Sequence, residues 1–118
     1  MNSADFPRSH RLLTPKDYQR VFQHTHIRIT TPHLLLIASQ NHLTHPRLGL
    51  AITKKRAPLA VVRNQIKRHL RNAFRTQKHQ LKNYDMVFLL RKNISKQNLA
   101  TMHREANHCI HLFLAKQG

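Results

Sequence analysis

Acidic side chains are what this sequence most conspicuously lacks. Its 118 residues include four Asp plus Glu against 21 Lys plus Arg, a net charge of +17 with histidine neutral. Asp5, Asp17, Asp85 and Glu105 stand singly, so none forms the carboxylate pair that a protein-based metal-ion nuclease normally uses. One cysteine, Cys109, excludes an internal disulfide and fits a reducing compartment. It lies in an apolar helical pattern, which reads as a buried packing thiol rather than a reactive one. Two glycines and no tryptophan leave no glycine-rich phosphate loop. Eleven histidines show no zinc spacing, and pairs such as His103/His108 or His108/His111 read as chance neighbours on a helix. No apolar run reaches the roughly 18 residues of a membrane span. Met1 to Arg11 lacks the apolar stretch of a signal peptide, so the cytoplasm is the expected location.

What is present is a 40% apolar chain, enough for one small core. A single α+β domain over residues 1–118 is expected, with 1–13 as an extended lead-in. So large a charge of one sign repels itself in a compact chain, and a polyanion relieves it. Nucleic acid is the foremost candidate. An anionic membrane surface and a merely basic soluble protein come behind it.

Thr14, Pro15 and Asp17 form a capping-box pattern that starts a helix running to about His24. Leu13 and Tyr18 are spaced for a hydrophobic staple across that start. Residues 27–53 change to strand patterns: a small strand over 27–30, a dense apolar strand over 33–39, a polar turn over 41–46, and an alternating strand over 47–53. In the last, Leu48, Leu50 and Ile52 share one face, expected to be core. Arg47, Gly49, Ala51 and Thr53 share the other, expected to be exposed. Pro58 opens a long helix whose core stripe is Leu59, Val62, Ile66, Leu70 and Ala73. Tyr84 to Leu90 reads as a strand. Ser95 caps a last helix over 96–114, with Leu99, Met102, Ala106, Ile110 and Phe113 as its stripe. The order is α-β-β-β-α-β-α, and the crossover through the long helix allows its flanking strands to run parallel.

That long helix is the strongest functional signal. Between Lys54 and Lys82 there are ten Lys or Arg and no acid. Opposite the core stripe, Asn64, Lys67, Arg68, Arg71, Arg75 and Lys78 fall within an arc of about 100°. A solvated helix gains from mixed signs, so this bias sacrifices local stability for field. Arginine forks suit phosphate oxygens, and Asn64 can bond a sugar, a base edge or a phosphate. Lys54, Lys55 and Arg56, in the loop before the helix, can take a further phosphate.

Arg63-Asn64-Gln65-Ile66-Lys67-Arg68-His69-Leu70-Arg71 resembles the signature helix of the bacterial ribonuclease P protein component. Phe6-Pro7-Arg8-Ser9-His10-Arg11-Leu12 resembles that family's lead-in, Asp17-Tyr18 to Val21-Phe22 its first helix, and Arg47-Leu48-Gly49-Leu50 with Lys54-Lys55 the strand before the signature. The likeness covers roughly residues 5 to 114. It implies a fold like the second domain of ribosomal protein S5, with a left-handed crossover that the usual right-handed rule would not suggest. It implies an endoribonuclease whose catalyst is an RNA subunit using Mg2+ held chiefly by RNA, with no cofactor on the isolated protein and no activity of its own. Implied partners are that RNA and precursor tRNA, without a membrane or an obligate protein partner. By the resemblance, Lys54, Lys55, Arg56, Arg63, Asn64, Lys67, Arg68, Arg71, Arg75 and Lys78 face the RNA subunit. Phe6, Arg8, Arg11, Tyr18, Phe22, Leu34 and Leu36 face the single-stranded 5′ leader, although Phe22 and the strand residues read equally well as core. Asn72 stands where the family commonly has glutamate, and Thr25 where it has glycine. A different reading, a structural RNA-binding protein such as a ribosomal component, fits the same charge pattern. A DNA-binding regulator fits less well, because no dimer element or helix-turn-helix pair is evident.

Overall fold

The computed structural model describes residues 6–117. The first helix, α1 (Pro15–Gln23), begins where Thr14 Oγ1 accepts the Asp17 N–H and the Asp17 carboxylate accepts the Thr14 N–H, a reciprocal cap. Strands β1 (Ile27–Thr30), β2 (Leu34–Gln40) and β3 (Arg47–Ala51) follow, then α2 (Ala60–Gln77), β4 (Tyr84–Leu90) and α3 (Leu99–Lys116). The sheet order is β1-β2-β4-β3. β1/β2 and β2/β4 are antiparallel, whereas β3/β4 are parallel, with α2 as the crossover between them. The α+β class and the element order are as expected.

Strand parity divides the sheet. Leu34, Leu36 and Ala38 of β2, Leu48 of β3, and Met86, Phe88 and Leu90 of β4 point into the main core. There they meet Val62, Ile66, Leu70, Ala73 and Phe74 of α2 and Met102, Ala106, Cys109, Ile110 and Phe113 of α3. On the opposite face a smaller cluster joins Leu12, Val21, Ile37 and Val87 under α1. Burial pushes the Cys109 thiol up to about 11, so it packs as a neutral thiol.

Three expectations need correction. Leu59 is 54% exposed because it is the N-cap of α2, outside the first turn, and Phe74 takes a place in the core stripe instead. The Arg47/Gly49/Ala51 face of β3 is not bare, since Asp17 and Tyr18 of α1 reach Arg47 and Gly49. The lead-in is only partly extended: Arg8–His10 form a 3-10 turn, and Arg11 then runs parallel to Leu48 as a short sheet extension. Residues 1–5 of the expected lead-in lie outside the described residues.

Candidate nucleic-acid interface

The surface is nearly all cationic because the described carboxylates are turned inward. Asp85 is buried and takes a two-pronged bond from Arg47, Nε to Oδ1 at 2.8 Å and Nη2 to Oδ2 at 2.7 Å. Asn41 Nδ2 donates to the same Oδ1 at 2.8 Å. The hydrogen bond to Asp85 holds Arg47 above the ordinary guanidinium value despite burial. Asp17 lies 3.7 Å from Arg47 and caps α1. Glu105 accepts from Thr31 Oγ1 and the His33 N–H, both at 2.7 Å, and lies 2.9 Å from His33 Nδ1. Each acid thus clamps one element to another and leaves little anionic surface to oppose the basic helix.

Along α2, Asn64, Arg68 and Arg71 are exposed, while Lys67 and Arg75 are half-buried. Their common outward arc follows from the core stripe Val62, Ile66, Leu70 and Ala73 on the other side. Lys54 and Lys55 are exposed in the preceding loop. Arg63, expected at the RNA, also shapes that loop: its Nη1 donates to the carbonyls of Ala57 and Pro58, both at 2.9 Å. Arg56 is drawn toward Asn93 at 3.5 Å, and its carbonyl accepts the Ile94 N–H at 2.7 Å. Lys78 reaches back to the lead-in, 3.4 Å from His10 Nδ1. The exposed subset therefore narrows to Lys54, Lys55, Asn64, Arg68 and Arg71, with Lys67 and Arg75 on the flanks.

The lead-in packs directly against this helix. Phe6 meets Phe74 edge-on at 5.6 Å between ring centres, and the Arg11 guanidinium lies 4.9 Å over the Phe6 ring. Arg11 Nη2 also donates to the Phe6 carbonyl at 2.8 Å. Phe6 is accordingly an anchor whose ring is already engaged. Arg8 stays exposed. Tyr18 is similarly committed: its hydroxyl accepts the Leu50 N–H at 3.1 Å, and its ring covers Gly49. A Cβ on Gly49 would come within 2.6 Å of Tyr18 Cε1 and 2.9 Å of Leu12 Cδ1. This close approach explains the glycine in Arg47-Leu48-Gly49-Leu50 and couples it to the tyrosine of α1. Phe6, Arg11, Leu13, Tyr18, Lys67 and Arg71 then line one groove of about 210 Å3. Residues expected on two separate surfaces are thus neighbours along one groove.

Leu34 and Leu36 do not belong to the site. Both are fully buried against α2 and α3. The other parity of the same strand faces α1: Leu35 pairs with Leu89, which pairs with Ala51, and all three are half-buried. On α1 itself Phe22 is 49% exposed. Leu13, Pro15, Tyr18 and Phe22 line a further apolar groove along α1. Within the 33–39 strand the half-open residue on this face is thus Leu35, and sequence reading singled out neither Ala51 nor Leu89. Residues 34 to 37 form an unbroken apolar run, so only the pairing with β4 fixes which side each one faces.

A protein-family model described as Ribonuclease P matches residues 6–113. The ribonuclease P protein component of Vibrio vulnificus (strain YJ016) is 50% identical over 93 residues, covering 79% of this chain and 78% of that protein. That of Chromohalobacter salexigens is 41% identical over 105 residues, covering 89% and 82%. The fold resembles the solved RNase P proteins of Staphylococcus aureus, with a TM-score of 0.76 at 24% identity over 91% of this chain and 95% of that one. It also resembles that of Thermotoga maritima, with a TM-score of 0.70 at 22% identity over 92% and 97%.

Proposed function

The chain belongs to the ribonuclease P protein family, and from that membership we propose how its surface divides the work of the ribonucleoprotein. Its function is that of a protein subunit in an RNA-catalysed endoribonuclease that matures the 5′ end of precursor tRNA. In our reading the catalytic RNA lies along the outer face of α2, on Lys54, Lys55, Asn64, Lys67, Arg68, Arg71 and Arg75. These residues grip phosphates, which need no particular sequence. Arg63 is a positioning residue that holds the loop carrying Lys54 and Lys55. The single-stranded leader lies in the half-open cleft between α1 and the sheet, over Leu35, Ala51 and Leu89. Phe22 offers a free ring for stacking on an unpaired base, a sequence-tolerant contact of about 1–3 kcal/mol. Tyr18 and Phe6 form the wall of this path rather than loose stacking platforms.

The observation that carries this division is the shared groove in which Phe6, Arg11 and Tyr18 face Lys67 and Arg71. It gives a leader emerging from the α1 side a direct route to the helix that holds the catalytic RNA. The described carboxylates are spent on Arg47, Asn41, Thr31 and His33, and they form no cluster suited to a metal ion. In our reading the Mg2+ of the cleavage chemistry is held by the RNA, as membership of the family implies. The cytoplasm is the proposed setting, in keeping with single-thiol usage. Reconstitution tests the reading. At low magnesium the RNA subunit with this protein should cleave precursor tRNA at the mature 5′ end faster than the RNA alone, and the protein alone should not cleave. Arg71→Ala should weaken RNA binding and reduce the slope of log affinity against log salt by about 0.7 to 0.9. Unchanged affinity and slope would remove Arg71 from the contact.

A further inference from the structure

On the flank of α2 turned toward α3, away from the lead-in groove, the two helices enclose a polar groove of about 240 Å3. His69, Asn72, Arg75 and Thr76 line it from α2, and His103 and Asn107 from α3. The His69 and His103 rings stand 6.0 Å apart at 71°. Neither ring has a hydrogen-bonding partner among the described residues. Among the described residues no carboxylate lines the groove, because Glu105 turns away onto Thr31 and His33.

Such a lining is suited to an anion. A neutral imidazole offers one donor and one acceptor, whereas an imidazolium offers two donors and a charge. The charged and titratable groups facing His69 are Arg68 and Arg75 from α2 and His103 from α3. Burial, then His103 and Arg68, hold His69 below the ordinary imidazole range. Burial, His103 and Arg68 oppose protonation of His69 until a negative group enters, and a phosphate reverses that opposition. Arg75 already donates to Asn72 Oδ1 at 3.1 Å, so its fork and the amide sit as one unit at the groove edge.

We propose that this α2–α3 groove is a further RNA-binding site, which takes a backbone phosphate between His69 and His103 and takes up protons from solvent as it does so. The proposal rests on the RNA-binding reading of α2 and extends it onto α3. It makes part of the protein's grip on RNA dependent on pH in the histidine range.

The test compares binding of the ribonuclease P RNA subunit at about pH 7.5 and about pH 6. The chains are the wild type, a His69→Gln/His103→Gln double variant, and His103→Gln alone. His103 is exposed, so its replacement leaves the fold in place. Wild-type affinity should gain roughly fivefold more than the double variant's as pH falls, as expected when a bound anion raises an imidazole's proton affinity. His103→Gln should lose part of that gain. At about pH 6 the wild-type salt slope should exceed the double variant's by about 0.7 to 0.9. Asn72→Glu, which sets a carboxylate in the groove, should weaken binding at the lower pH at least as much as the double variant. Identical pH gains and slopes in wild type and double variant, with the Arg71→Ala effect intact, would overturn the proposal alone. A wild-type chain that failed to bind this RNA at either pH would overturn it together with the reading of α2.

Discussion

On the α2–α3 side of the sheet, Leu34, Leu36, Met86 and Phe88 are fully buried, whereas on the α1 side Leu35, Ala51 and Leu89 stay half-open and Phe22 is 49% exposed. The difference is one of cover. Two 18-residue helices close the first face, and a single nine-residue helix crosses the second. Alternate residues of the same strands therefore do different work: one parity holds the domain together, and the other leaves apolar surface half-open on the α1 face. A cleft can persist on the thinly covered face because Tyr18 pins α1 to β3 through Gly49 and the Leu50 N–H.

The sharpest break in this comparison should come from the closed face. Phe88→Ala should destabilise the domain by about 3–5 kcal/mol in denaturant unfolding, the range for an aromatic deleted from a packed core. A loss below about 1 kcal/mol would mean that this face is not the main core. Next in size, Gly49→Ala should cost about 1–3 kcal/mol, because its Cβ must displace the Tyr18 ring. Combining it with Tyr18→Ala should recover part of that cost in a double-mutant cycle, and strict additivity would uncouple the two residues.

A smaller effect, confined to one end of the pH scale, concerns the clamp between α3 and the sheet. Burial opposes ionisation of Glu105, but hydrogen bonds from His33 and Thr31 outweigh it and hold its carboxyl below the ordinary value. Its stabilising share is thus full above about pH 4.5 and is lost as pH falls through the lower folded value. Glu105→Gln should be less stable than wild type near neutrality, with the gap closing in acid. A constant gap would assign the loss to packing. Least affected of all should be the stability of Phe22→Ala, within about 0.5 kcal/mol, because much of that ring already meets solvent.

How much of this was legible in the sequence depended on whether local chemistry or long-range pairing decided the matter. The capping box Thr14–Asp17 and the phase of α2 over Val62, Ile66, Leu70 and Ala73 are local, and both appear as read. The dense run at 34–37 has no period, so the sequence does not separate the buried Leu34 and Leu36 from the half-open Leu35. Its parity is set by β4, some 50 positions away. The same limit hid the commitments of Arg63 and Lys78, because a cation's exposure depends on which carbonyl or imidazole the fold brings to it. The contiguity of the Phe6 and Lys67 surfaces was also beyond the sequence, since it arises only when the lead-in docks beside β3 and α2.

The central claim is that the open face serves the leader while the closed face serves the fold, and a holoenzyme carrying Phe22→Ala tests it most directly. Its affinity for precursor tRNA and for mature tRNA should be measured side by side, with circular dichroism to show that the variant is folded. Weaker binding of the precursor, by the equivalent of about 1–3 kcal/mol for one lost stacking contact, with mature tRNA nearly unchanged, is the expected result. Equal affinities to wild type for both, or equal losses for both from a folded variant, would contradict the assignment of this face to the leader.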